Sequence, residues 1–160
     1  MDTIQNTFSR LRRTGRKALI PFVMGGDPDL STTGPVLLAL EDAGADLIEV
    51  GIPFSDPLAD GPVIQASSAR ALARGATPAR VLAAIHTIRR RLRVPVVCLT
   101  YWNPLVQYGP NGASATPRSF ARAARESGIS GVIVPDLPVE EGEALRTAAA
   151  HEGLATVFLA

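Results

Sequence analysis

Two carboxylates eleven positions apart, Glu49 and Asp60, are the residues in this chain best suited to chemistry. Glu49 lies within a short apolar strand, Asp46 to Val50, where an ionised side chain is costly unless it is paired, hydrogen-bonded or kept neutral. Asp60 follows a loop dense in Pro, Gly and Asp, just before Gly61 and Pro62 open a helix. Two acids that reach one cleft from a strand end and a loop can hold different protonation states, as acid–base chemistry requires. Each also has a plainer reading. Glu49 could be half of a structural buried ion pair, and Asp60 could be the N-cap of the helix at Pro62.

The composition leaves room for such a site and excludes others. Hydrophobic residues are 46% of the 160, enough for one domain with a sizeable core. Charged residues are 19% with net charge +1, which favours neither a nucleic-acid nor a membrane partner. Lys17 is the sole lysine, and the run Arg89-Arg90-Arg91 with Arg93 reads as the solvated C-terminal end of a helix. Cys98 is the single cysteine, in an apolar strand, so neither a disulfide framework nor a cysteine zinc site is expected. His86 and His151 stand apart on separate expected helices and form no metal constellation. The N-terminus lacks a signal-type apolar region and no run approaches the ~18 apolar residues of a membrane span. A soluble cytoplasmic protein is the expectation.

The elements that must position the two acids follow in order. Ile4, Phe8 and Leu11 have helical spacing within Thr3 to Arg13. Ala18 to Met24 reads as a buried strand, with Pro21 a mild objection, and Gly25 to Pro28 as a turn. A helix is expected from about Ser31, with Val36, Leu37, Leu40 and Ala43 inward and Gly44 past its end. After the Glu49 strand, one helix runs from Pro62 to before Gly75. Thr77-Pro78 starts another, with Val81, Leu82, Ile85, Ile88 and Leu92 on one apolar face. Pro95 to Tyr101 reads as strand three, and Trp102 to Thr116 as a long loop. Thr116-Pro117 caps a helix that ends at Gly128. Gly131 to Pro135 is strand four, Val139 to Glu152 a helix, and Ala155 to Ala160 opens strand five.

Repeated βα units with continuous apolar strands demand an α/β fold with a parallel sheet and right-handed crossovers. Periodicity alone does not separate an open doubly wound sheet from a barrel. Gly25-Gly26-Asp27-Pro28 has the wrong spacing for a dinucleotide fingerprint. Asp27, Glu49 with Asp60, Asn103 and Asp136 all fall at or just past the C-terminal ends of strands, the active-site face of a (β/α)8 barrel. At about 31 residues per unit, 160 residues hold about five strands, too few to close a barrel. The expectation is a single domain over 1–160, an incomplete TIM barrel of about five parallel strands with flanking helices, lacking its C-terminal units.

From Leu47 to Gln65, LIEVGIPFSDPLADGPVIQ, the sequence closely resembles the alpha subunit of tryptophan synthase. Pro21-Phe22-Val23 with Gly26-Asp27-Pro28, Tyr101 with Asn103-Pro104, and Val134 to Pro138 with Glu140-Glu141 extend the resemblance along essentially the whole chain. Met24-Gly25 departs from the family pattern, and Pro110 to Pro117 looks longer than usual, as a surface bulge would. The resemblance covers about the first three-fifths of the family's length. It implies a lyase of tryptophan biosynthesis that cleaves indole-3-glycerol phosphate to indole and glyceraldehyde 3-phosphate by a retro-aldol reaction.

By resemblance Glu49 is the general acid/base and Asp60 steadies the ring N–H, while Phe22, Leu99 and Tyr101 match positions lining the indole pocket. The last three read equally well as ordinary core, and Asp136 as support for the end of strand four. Alternation with Ile48 and Val50 points Glu49 into the barrel, where burial should raise its pKa. Asp60, on a polar loop near a helix start, should stay ionised. The implied partner is the tryptophan synthase beta subunit in an alpha2-beta2 heterotetramer, met by the loops near Asp56, Pro57 and Asn103. Pyridoxal phosphate belongs to that subunit; no cofactor and no metal are expected here. The loops after strands seven and eight that hold a substrate phosphate in such barrels are not in this sequence, so 1–160 alone is expected to be inactive. The alternative is a non-catalytic half-barrel that binds and regulates the beta subunit.

Overall fold

In a computed structural model, residues 3–109 and 115–159 are described. Among them, seven helices and five strands follow in order: α1 (Ile4–Arg13), β1 (Phe22–Met24), α2 (Leu30–Asp42), β2 (Ile48–Gly51), α3 (Pro62–Ala73), α4 (Pro78–Ile88), β3 (Val96–Leu99), α5 (Trp102–Val106), α6 (Pro117–Ser127), β4 (Ile129–Ile133), α7 (Glu143–His151) and β5 (Ala155–Val157). The caps explain the helix starts. Thr3, Asp29, Thr77 and Thr116 each accept a backbone N–H of the first turn, and proline opens α3, α4 and α6. Gly128 closes α6 in the left-handed conformation, φ 94°.

Several expected boundaries shift. The first strand begins at Phe22, not Ala18, because Pro21 offers no donor; its carbonyl still accepts from Glu49 N–H at 2.9 Å. Along α2 the buried positions are Thr33, Gly34 and Leu37, and Ala43 is exposed. Gly34 permits that packing, since a Cβ there would stand 3.1 Å from Ile88. The stretch expected as a loop from Trp102 contains α5, and α7 starts at Glu143 after a turn. The bulge expected from Pro110 falls largely on 110–114, outside the described residues.

All five strands are parallel and lie in the order β1-β2-β3-β4-β5. A doubly wound sheet reverses its strand order at a switch point; this sheet never does, and the barrel alternative holds. Among the described residues the sheet is not closed, and β1 and β5 are its edge strands.

The two faces of the sheet differ. Ile48, Val50, Val96, Cys98 and Val132 pack with the helices in the main core, around Leu37, Ile85, Phe120 and Leu145. Cys98 is fully buried there, and burial pushes its thiol pKa up. The opposite, inner face carries a smaller cluster of Leu47, Val97 and Ile133, with Leu99 and Ile4 against it. Helix α1 therefore lies across the inner face through Ile4. Gly131 makes the room: a Cβ there would meet Ile4 Cδ1 and the Ala155 carbonyl, both at 3.1 Å. Among the described residues no helix is long and apolar enough to cross a membrane, and no His/Cys/Asp/Glu group could hold a metal ion.

Candidate active site

Strand register fixes what surrounds Glu49. One inner-face row across the sheet is Phe22, Glu49, Val97, Gly131 and Ala155; the next is Met24, Gly51, Leu99, Ile133 and Val157. Phe22 and Leu99 thus share the face of Glu49. Gly51 is small for a reason, because a Cβ there would fall 2.7 Å from Cζ of Phe22, whose ring leans over it. Glu49 is half-buried, and among the described residues no side chain hydrogen-bonds or ion-pairs with it. The structural ion pair is not formed among the described residues. Burial alone raises its carboxyl pKa, the direction a proton donor near neutrality needs.

Asp60 is held by its loop. Ile52 N–H continues the ladder to the Leu99 carbonyl at 2.8 Å, and the chain then leaves the sheet. Phe54 is clamped to α3 by Ser68, whose Oγ accepts from Phe54 N–H and donates to Phe54 C=O, both at 2.9 Å. Farther along, Ala59 N–H donates to the Tyr101 hydroxyl at 2.9 Å. Between the two pins a tight turn brings Asp60 N–H to the Pro57 carbonyl at 3.1 Å. Asp60 is not the helix cap; Gly61 is, without a side-chain bond.

Asp60 feels two opposed influences. Its pKa is not ordinary: burial raises it, and a hydrogen bond from Tyr101 opposes the rise. Tyr101, expected as a pocket-lining residue, is 2% exposed and touches the Asp60 loop, with its ring centroid 5.3 Å from that of Phe54. Phe54 was not singled out by sequence; only its place in the Pro-rich loop beside Pro53 hinted at a packing role.

The other polar strand ends are occupied. Asp136 Oδ1 accepts from Trp102 N–H at 2.9 Å, which bears out its supporting role and pins the start of α5. Asp27 is held by Arg70 through two bonds, 2.9 and 2.6 Å, and by Ser67, so its pKa falls. Asp56 is exposed beside Ser55, and Asn103 is exposed on α5 rather than on a loop.

The family model for the tryptophan synthase alpha chain matches residues 8–160. The chain belongs to that family. It is 53% identical over 157 residues to the tryptophan synthase alpha chain of Prochlorococcus marinus (strain MIT 9313), covering 98% of this chain and 54% of the relative. Against that of Xanthomonas axonopodis pv. citri it is 52% identical over 161 residues, covering 100% and 58%. The crystal structure of tryptophan synthase subunit alpha from Legionella pneumophila superposes with a TM-score of 0.92 at 37% identity, over 100% of this chain and 59% of that one. The chain therefore spans a little over half the length of these relatives. Solved alpha chains of the family are TIM barrels, and the open five-stranded sheet here corresponds to part of one.

Beside the strand-two loop the alpha-chain segment has an apolar groove of about 560 Å³, lined by Pro53, Phe54, Leu72, Pro104 and Tyr108 among others. It lies next to Asp56 and Asn103 in sequence and shares Phe54 with the Tyr101 contact.

Proposed function

We propose that the full-length protein cleaves indole-3-glycerol phosphate to indole and glyceraldehyde 3-phosphate, with Glu49 and Asp60 as its working acids. The observation that carries this reading is a half-buried glutamate on the inner face of the sheet, unpartnered among the described residues, with its pKa raised by burial alone. The bond between indole C3 and the side chain breaks only when the ring becomes an electron sink. Protonated Glu49 delivers a proton to C3, which leaves positive charge on the ring nitrogen. Asp60 accepts the ring N–H hydrogen bond and stabilises that charge. The Glu49 carboxylate then takes the proton of the hydroxyl next to the bond. A carbonyl forms there as the C3 bond breaks, and its electrons restore the indole. One proton enters and one leaves, so the cycle balances without a cofactor or metal from this chain.

Phe22 and Leu99, on the face of Glu49, would line the indole pocket with the Tyr101 ring. The groove at Phe54 and Tyr108, flanked by Asp56, Pro57 and Asn103, suits a tryptophan synthase beta subunit, which would carry pyridoxal phosphate; this apolar groove is also what favours the second reading, a half-barrel that only binds and regulates that subunit. The cytoplasm is the proposed location.

Glu49→Gln and Asp60→Asn in the full-length protein test the main reading. Each should lower kcat by at least about a hundredfold, as general acid–base and charge-stabilising groups do. A Glu49→Gln enzyme that turns over near the wild-type rate refutes it. Residues 1–160 alone, which span a little over half the length of the relatives, should show no turnover.

A further inference from the structure

We propose that Tyr101 is a positioning residue for Asp60, fixing the Asp60 loop from the adjacent strand end. The inference rests on the role proposed for Asp60. A phenol has one proton to donate and lone pairs to accept with. Ala59 N–H donates to the Tyr101 oxygen at 2.9 Å, which leaves the hydroxyl proton for the Asp60 carboxylate. The one hydroxyl thus holds the backbone of Ala59 and favours the charged form of the next side chain, Asp60. The grip is rigid because Tyr101 is itself fixed. Its ring is 2% exposed and packs on Phe54 with ring planes 34° apart, and Phe54 is clamped by Ser68. The next residue, Trp102, is anchored through its N–H to Asp136 on the strand-four loop. Three strand-end loops are thereby locked into one frame around Asp60. The charges acting on Tyr101 among the described residues are Asp60 and Asp136; with burial they keep its phenol protonated, so it remains a donor throughout the neutral range.

Tyr101→Phe in the full-length protein removes the hydroxyl and keeps the ring. Three readouts separate positioning from simple packing. The Asp60 carboxyl, followed by carbon-13 NMR titration, should move to higher pH, because a donor that favoured its charged form is gone. The Ala59 amide should exchange at least about tenfold faster. For indole-3-glycerol phosphate, kcat should fall about tenfold with KM changed less than about twofold, the scale of one hydrogen bond to a charged group. An unmoved Asp60 titration with unchanged Ala59 exchange overturns the proposal. Should Tyr101→Phe fail to fold, Asp60→Asn provides the reciprocal test. Removing the Asp60 charge should lower the Tyr101 phenol titration, and an unchanged titration overturns the proposal. Asp60→Asn also separates the two readings. Near-normal turnover sinks the function assigned to Asp60, whereas lost turnover with an unmoved Tyr101 titration sinks only the positioning role.

Discussion

Ser68→Ala is the sharpest test of how the loop bearing Asp60 is built. Ser68 is 1% exposed, and its Oγ both accepts from Phe54 N–H and donates to Phe54 C=O at 2.9 Å. Alanine keeps the helix propensity of α3 and deletes both bonds at once. A net 0.5–1.5 kcal/mol per bond gives about 1–3 kcal/mol, and water reaching the part-buried Phe54 amide keeps the loss near ~2 kcal/mol, short of a full desolvation penalty. Urea unfolding of the full-length protein measures this, with Thr87→Ala as control. The Thr87 hydroxyl bonds the Ala84 carbonyl on an exposed face, and its loss should stay within about 0.5 kcal/mol. Amide exchange at Phe54 should accelerate in Ser68→Ala and not in the control. A Ser68→Ala protein within about 0.5 kcal/mol of wild type, with Phe54 exchange unchanged, refutes the clamp and with it one of the two pins on the loop.

Glu49→Gln should also stabilise the full-length protein at alkaline pH, despite its cost to turnover. The folded pKa of Glu49 is raised, so the native state holds its proton over a range where the unfolded chain has released it. Its contribution is complete below the ordinary glutamate range and lost as pH climbs through the folded value. Thermal unfolding should therefore favour the variant near ~pH 8, with the gap closing toward ~pH 4; a gap that widens in acid contradicts the burial argument. Gly26→Ala should cost about 2–4 kcal/mol in urea, because φ is +90° and a Cβ would stand 2.7 Å from that of Ala76. A loss under about 1 kcal/mol means the turn relaxes freely.

Much of the scaffold was legible because its signals are local. Thr77-Pro78 and Thr116-Pro117 each carry a cap and a first turn in adjacent residues, and the structure begins α4 and α6 there. Alternation around Glu49 correctly put Ile48 and Val50 on the helix side. Errors arose where a distant partner decides. Prolines and glycines made Trp102 onward read as loop, yet Asp136, 34 residues away, supplies the acceptor that starts α5. Asp27 looked like a free strand-end acid until Arg70, 43 residues on, occupied it. The environment of Asp60 depends on Tyr101, whose hydroxyl reaches Ala59 across 42 residues. No window of neighbouring residues contains such pairs.

Burial acts on both acids, and Asp60 also meets a group that stands against it. Desolvation raises both carboxyls. Glu49 meets no opposing donor among the described residues, and keeping its proton is what protonation of a ring carbon demands. Asp60 meets the Tyr101 hydroxyl, which favours its charged form and draws it back toward ionisation. A tyrosine on the neighbouring strand end, held by Phe54 on one side and by the Asp136 anchor on the other, thus acts on one of the two acids. A substitution that frees Tyr101 should raise the titration of Asp60 and leave that of Glu49 in place, because the tyrosine acts on Asp60 while burial acts on both.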